Sequence, residues 1–192
     1  MPPVPNISLL DWDESGLQLL RALNTPEEKL YLGGPESAEK TLDRHHRYLT
    51  YGRPGEVEML RIAVDGDVVG SVGYWERDGA GEQLYDLGWE LLPRAHRRGI
   101  GTAATAALLA RLQPFARHRF AYAYPTPDNA GSNGICRKLG FSLMSTGDFE
   151  YPKGIFSPHN IWRLELRAWS PPAGDRAALS ATSRISADRR TA

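Results

Sequence analysis

The chain has 192 residues, with 23 Lys+Arg against 23 Asp+Glu, 41% hydrophobic residues and one cysteine. That size and apolar content fit one globular domain with a real core, while a single cysteine excludes an internal disulfide framework and a cysteine-based zinc cluster. No apolar run approaches the roughly 20 residues that span a bilayer, the first residues lack the regions of a signal peptide, and zero net charge gives no reason to expect nucleic acid or a membrane as partner. A cytoplasmic location is expected.

The zero hides a polarisation along the chain. Residues 1–90 carry 17 acids and 8 bases, whereas residues 91–127 carry six arginines (Arg94, Arg97, Arg98, Arg111, Arg117 and Arg119) and no acid. Such a window suits a compact anion.

Short apolar or period-2 runs alternate with amphipathic stretches, which predicts an α/β or α+β domain. Residues 7–10 read as a strand, and the acids of residues 11–14 suit the start of a helix running to about residue 23. A second helix is expected over 37–51, between Pro35 and Gly52. Residues 58–64 and 68–75 form two strands joined at Asp65-Gly66-Asp67, a hairpin signal. A polar turn at 78–82 leads to a third strand, 84–92, that ends at Pro93. An alanine-rich helix follows from Thr102 to about Leu112, and residues 120–124 form the next strand. The two prolines of the loop 125–129 forbid a continued ladder. Ser132 can cap a helix that ends at Leu139-Gly140. Residues 141–149 and 160–169 are the last strands. The domain therefore spans 1–169. Residues 170–192, rich in Ala, Ser and Arg and without an aromatic residue, read as a disordered tail.

The central unit is strand, basic glycine turn, helix, strand over 84–124, with the turn at the carboxyl end of its strand. Gly99 and Gly101 let the backbone approach a ligand, and free amides opening the next helix carry a partial positive charge that suits a phosphate. Arg97 and Arg98 add forked donors for a diphosphate. The Walker lysine is absent, which excludes a P-loop. Gly99-Ile100-Gly101-Thr102-Ala103-Ala104 fits the loose dinucleotide pattern G-x-G-x-x-A, but the ribose-binding acid expected about 20 residues on is missing up to Asp128.

Residues 84–112, LYDLGWELLPRAHRRGIGTAATAALLARL, resemble the acyl-CoA-binding segment of the GCN5-related N-acetyltransferases (GNAT). Residues 127–144, PDNAGSNGICRKLGFSLM, resemble the next helix and strand in that family, particularly its branch that acetylates ribosomal-protein N-termini. The resemblance implies a mixed, mostly antiparallel, V-splayed sheet of about six to seven strands with about four helices. It implies acetyl-CoA as cosubstrate, its diphosphate on the amides of Arg97, Arg98, Gly99, Ile100, Gly101 and Thr102. The pantetheine arm would pair with Leu91 and Leu92, and Asn129, Ser132 and Arg137 would complete the cofactor contacts. The family usually has Gln or Arg where this chain has His96. Many members place a tyrosine acid where this chain has Cys136, which reads as an inert buried thiol.

Acyl transfer to an amine needs a base, because a free alkylamine has a pKa of about 10. Glu150, near where the resembling branch places a carboxylate base, and Glu90 are the leading candidates, with Asp86 third; Asp86 and Glu90 share a strand face. The resemblance implies that Ser132 donates to the departing thiolate and that amides near Leu91 polarise the carbonyl. Tyr48, Tyr51, Tyr151, Phe156 and Trp162 could line the acceptor slot. His45, His46, His118 and His159 read as solvated, and no metal is expected. The implied function is transfer of an acetyl group to a primary amine, of a small molecule or a peptide N-terminus, by direct attack in a ternary complex. The alternatives are a degenerate CoA-binding protein without transfer and a dinucleotide-binding oxidoreductase. A monomer or homodimer is expected.

Overall fold

Asp65 and Gly66 both adopt positive φ, 51° and 89°, as the tight turn of an Asp-Gly hairpin requires. They join β2 (Val57–Val64) to β3 (Asp67–Gly79), the second and third strands of a seven-stranded sheet. The computed structural model describes residues 6–79, 81–151 and 153–172. The other strands are β1 (Ile7–Asp11), β4 (Glu82–Leu91), β5 (Phe120–Ala123), β6 (Ser142–Glu150) and β7 (Phe156–Glu165). Their order is β1-β2-β3-β4-β5-β7-β6, and every neighbouring pair is antiparallel except β4 and β5.

That parallel pair meets only at Tyr85↔Ala121 and Asp86↔Tyr122. Beyond it β4 continues to Leu91, while β5 runs into Pro125 and Pro127, which have no amide to donate. The two strands therefore part as a V, as the resemblance implied.

Side-chain alternation divides the sheet into two covered faces. On one, Met59, Trp75 and Leu92 pack with Trp12, Leu19, Leu23 and Tyr48 under α1 (Gly16–Leu23) and α2 (Ala38–Leu49). On the other, Leu60, Tyr74, Tyr85 and Leu87 pack under α3 (Ile100–Leu112) and α4 (Ala130–Lys138). Ten residues of α3 are buried, which matches a helix apolar on nearly all sides.

Several expectations shift. β1 extends to Asp11, and α1 starts at Gly16 rather than at residue 11. Asp13 instead binds Arg61 and Ser15, and a Cβ at position 16 would stand 2.4 Å from the Trp12 ring. β3 runs past Trp75 because Glu76, Arg77 and Asp78 stay paired with β4. The cap of α4 is Asn129, whose side chain accepts the Ser132 amide at 3.0 Å, so Ser132 sits inside the first turn.

Three of the four histidines expected to be solvated are not. His45 is buried and accepts from Trp12, His118 pairs with Glu76 at 2.6 Å, and His159 is 3% exposed. Among the described residues no helix is long and apolar enough to cross a membrane. The expected disordered tail falls mostly on residues 173–192, which lie outside the described residues.

Candidate active site

The V opens onto a cleft of about 730 Å³. One end is the turn between β4 and α3. Arg97 and Gly99 both have positive φ, 58° and 77°. For arginine this backbone costs roughly 1–2 kcal/mol, and it turns successive amides toward one side. Among the described residues, the first amide after His96 to find a backbone acceptor is that of Ala103, on the Gly99 carbonyl at 3.1 Å. Six amides, from Arg97 to Thr102, are thus left without a backbone acceptor at the opening of a thirteen-residue helix, a strong anion site. Gly101 allows close packing there, since a Cβ would stand 2.7 Å from Ile135.

The arginine-rich window contributes less to this site than its charge suggests. Arg94 binds Asp67 at 3.1 Å, Arg111 binds buried Glu58 at 2.7 Å, Arg117 binds Glu76 at 2.8 Å and Arg119 binds Glu165 at 2.9 Å. The missing acids are supplied by other segments of the fold. Arg97 alone of the six lines the cleft; Arg98 is exposed and reaches the Arg94 carbonyl at 3.4 Å.

The β4 arm presents two surfaces. Leu92 donates to Val69 across β3 at 2.8 Å, so by strand alternation the Leu91 amide and carbonyl point the other way, into the V. That carbonyl accepts from His96 Nε2 at 3.0 Å, and the same nitrogen lies 3.3 Å from Glu28. On the face toward α1 and α2 stand Asp86, Gly88 and Glu90, all in the cleft wall. Glu90 is ion-paired with buried Lys29.

Asp86 is 8% exposed and accepts no hydrogen bond among the described residues. Its nearest cation, Arg77, lies 3.4 Å away. Burial pushes its carboxyl up to about 7, against the smaller downward pull of Arg77. A carboxylate in a cleft that titrates near neutrality has the strength to accept an amine's proton.

The opposite arm carries α4. Asn129 and Ser132 both line the cleft, and Ser132 Oγ accepts from the Trp89 indole at 3.2 Å. Cys136 is fully buried, outside the cleft wall, and burial pushes its thiol up to about 12.

The structure thus gathers Glu90, Leu91, Arg97, Gly99, Ile100, Gly101, Thr102, Asn129 and Ser132 around one cleft. It leaves out Leu92, which is 7% exposed in the core under α1, and Arg98. Arg137 lies over the Trp162 ring, 5.7 Å from its centre, outside the cleft wall. Glu150 is exposed and accepts the Gly154 amide at 2.7 Å in the β6–β7 turn. Of the aromatic residues expected in the acceptor slot, Tyr48 and Tyr151 line it, with Tyr31, Trp75, Tyr124, Phe149 and His159 added. Tyr51 packs on Tyr48, Phe156 is 67% exposed, and Trp162 is buried against Asn133. The added residues come from separate strands and loops and carry no local motif. Among the described residues no cluster of three His, Cys, Asp or Glu is arranged to hold a metal ion.

Known structures share this architecture. An acetyltransferase from Salmonella typhimurium that modifies the N-terminal serine of the 50S ribosomal subunit protein L7/L12 is 20% identical, over 85% of this chain and 97% of its own, with a TM-score of 0.70. Mycobacterium smegmatis RimJ, in complex with CoA-disulfide, is 16% identical over 95% and 91%, with a TM-score of 0.72. The aminoglycoside acetyltransferase AAC(6')-Ib in complex with coenzyme A is 18% identical over 92% and 99%, with a TM-score of 0.65. No curated protein matches the sequence significantly. The model of the acetyltransferase (GNAT) domain matches residues 8–142. Because that stretch runs from β1 through both arms of the V and makes up well over half of the chain, the chain belongs to the GNAT acetyltransferase family.

Proposed function

We propose that the protein transfers an acetyl group from acetyl-CoA to a primary amine, with Asp86 as the base. The observation that carries this reading is the placement of Asp86, a buried and poorly paired carboxylate, at the vertex of a V whose rim bears six free amides. Those amides would hold the diphosphate, and the inward-facing edge of Leu91 would pair with the pantetheine arm.

In the reaction the amine nitrogen, relieved of a proton by Asp86, forms a bond to the thioester carbon. The C–S bond breaks and its electron pair passes to sulfur. Ser132 donates a hydrogen bond to that sulfur, which takes up the second proton that nitrogen loses once the C–N bond has formed, while the first proton passes from Asp86 to solvent. Backbone amides facing the V stabilise the oxyanion. Every group invoked comes from one chain, so the reading needs no second copy.

The acceptor half of the cleft is aromatic, through Tyr31, Tyr48, Trp75, Tyr124 and Phe149, and acidic, through Glu27, Glu28 and Asp86. Its cations are engaged: Arg44 by Glu36 and Lys29 by Glu90. Such a lining favours an amine attached to an apolar body and disfavours one with a neighbouring carboxylate. Calorimetry with acetyl-CoA, then thiol release with a panel of primary amines, tests the proposal. Acetyl-CoA binding, together with thiol release that is lost in Asp86→Asn, supports it; no acetyl-CoA binding at millimolar concentration overturns it.

A further inference from the structure

The hydrogen bond from Trp89 to Ser132 crosses the V, from the β4 arm to the first turn of α4. It is the feature of the cleft that the sequence motifs leave unassigned. A hydroxyl has one proton to give and two lone pairs to accept with. An indole N–H can only donate, so its bond fixes Ser132 Oγ as acceptor on that side. The same hydroxyl makes no other hydrogen bond among the described residues, and its proton remains free for a further acceptor. Asn129 anchors the Ser132 backbone at the same time, through the amide at 3.0 Å. Position and polarity of the hydroxyl are then both set before any ligand arrives.

The indole itself is held. Trp89 lies on the face of β4 that packs against the main core, opposite the face of Asp86 and Glu90, and is half-buried. An acid side chain that must be a donor at one moment of the reaction gains from being prevented from accepting the wrong partner or pointing elsewhere.

We propose that Trp89 is a positioning residue for the departing thiol: its indole N–H orients Ser132 so that the hydroxyl proton points to the sulfur. This rests on the acetyl-transfer reading above. The role belongs to the N–H and not to the ring, which makes Trp89→Phe the informative variant because it keeps a flat apolar side chain against the core.

The test is a cycle of Trp89→Phe, Ser132→Ala and the double variant, measured by thiol release at saturating acetyl-CoA and amine. Trp89→Phe is expected to lower kcat about tenfold, the worth of one hydrogen bond, with the KM for acetyl-CoA and the melting temperature unchanged. In the Ser132→Ala background the same substitution is expected to change kcat less than about twofold, because the group it orients is gone. Equal losses in both backgrounds, or none in either, overturn the proposal. A second readout needs no amine. The indole N–H resonance that disappears in Trp89→Phe should move upfield in Ser132→Ala, and a resonance that stays in place overturns the hydrogen bond itself. If the unmodified protein releases no thiol with any amine, the acetyl-transfer reading fails and takes this proposal with it. If it is active but the cycle is additive, only the role of Trp89 fails.

Discussion

Asp86 and Arg77 stand 3.4 Å apart on neighbouring strands, an ion pair that leaves the carboxylate without a hydrogen bond from the guanidinium. Arg77 lies over the rings of Tyr124 and Phe149, 4.5 and 4.7 Å from their centres, and its Nε is buried with no partner among the described residues. The pair is close enough to attract and too poorly aligned to repay the burial of Asp86, which is why burial prevails and the carboxyl titrates at about 7.

A raised carboxyl pKa has a definite sign in stability. Below the unfolded value of 3.8 both states are protonated and Asp86 costs nothing. As pH rises from there the unfolded chain ionises first, and the cost grows until it levels off above about 7, at about 4 kcal/mol. Asp86→Asn should therefore stabilise the fold by about 1–4 kcal/mol at pH 8, with the gain shrinking toward pH 4, while abolishing transfer. In the unmodified protein kcat/KM should rise with pH through an apparent pKa near 7. Arg77→Met, by removing the attraction that favours the anion, should move that limb upward. A flat profile between pH 5.5 and 8.5, or an active Asp86→Asn, would place the base elsewhere.

The two glutamates that lead the sequence-based ranking should behave differently from Asp86 and from each other. Glu150 is exposed, and its carboxylate is taken by the Gly154 amide, so Glu150→Gln should keep kcat within about twofold and stability within about 0.5 kcal/mol. Among the described residues Glu90 is the only ion-pair partner of Lys29, whose side chain is 4% exposed. Glu90→Gln leaves that ammonium buried and unpaired, at a cost of about 2–4 kcal/mol. Thermal melts of the two variants beside their rates separate these roles, and a large rate loss in Glu150→Gln at full stability would restore it as the base.

Part of the fold and of the cleft could be read from the sequence. The glycine turn, the hairpin at Asp65-Gly66 and the strands flanking the V were legible because each depends on local chemistry: a positive φ, a helix opening, a proline that stops a ladder. Asp86 was visible as a strand-face acid, but its burial and its poorly aligned pairing with Arg77 are set by the fold and not by the local sequence. The pairing of the arginine window was hidden for the same reason. Asp67, Glu58, Glu76 and Glu165 neutralise four of its six charges, and they lie 27 to 53 residues away along the chain. Trp89 carried no signal at all, because an indole bond to Ser132 spans 43 residues and two arms of the V.

His96, where the family usually has Gln or Arg, occupies the Leu91 carbonyl at 3.0 Å. That carbonyl faces the V, where the pantetheine arm would pair with it, so the arm has to exchange with the imidazole. His96→Ala should then bind CoA about three- to tenfold more tightly, the worth of a hydrogen bond no longer displaced. It should also loosen residues 24–37, since Glu28 loses its contact with Nε2. Calorimetry decides the first part. Weaker binding in His96→Ala would mean that the imidazole itself holds the arm, and proteolysis within 24–37 reads the second part.

The acidic half of the chain gives the last expectation. Glu27, Glu28 and Asp86 line the acceptor half of the cleft, and all come from the first 90 residues, where acids outnumber bases 17 to 8. A protonated amine is drawn toward such a mouth over about 10 Å at 0.1 M salt, and over about 3 Å at 1 M. Raising the ionic strength should therefore raise the KM for the amine while leaving kcat nearly constant. Glu27→Gln with Glu28→Gln should reproduce the high-salt KM at low salt and flatten the salt dependence. An amine KM that does not respond to salt would leave these glutamates as ordinary surface, and the choice of acceptor would then rest on the aromatic wall alone.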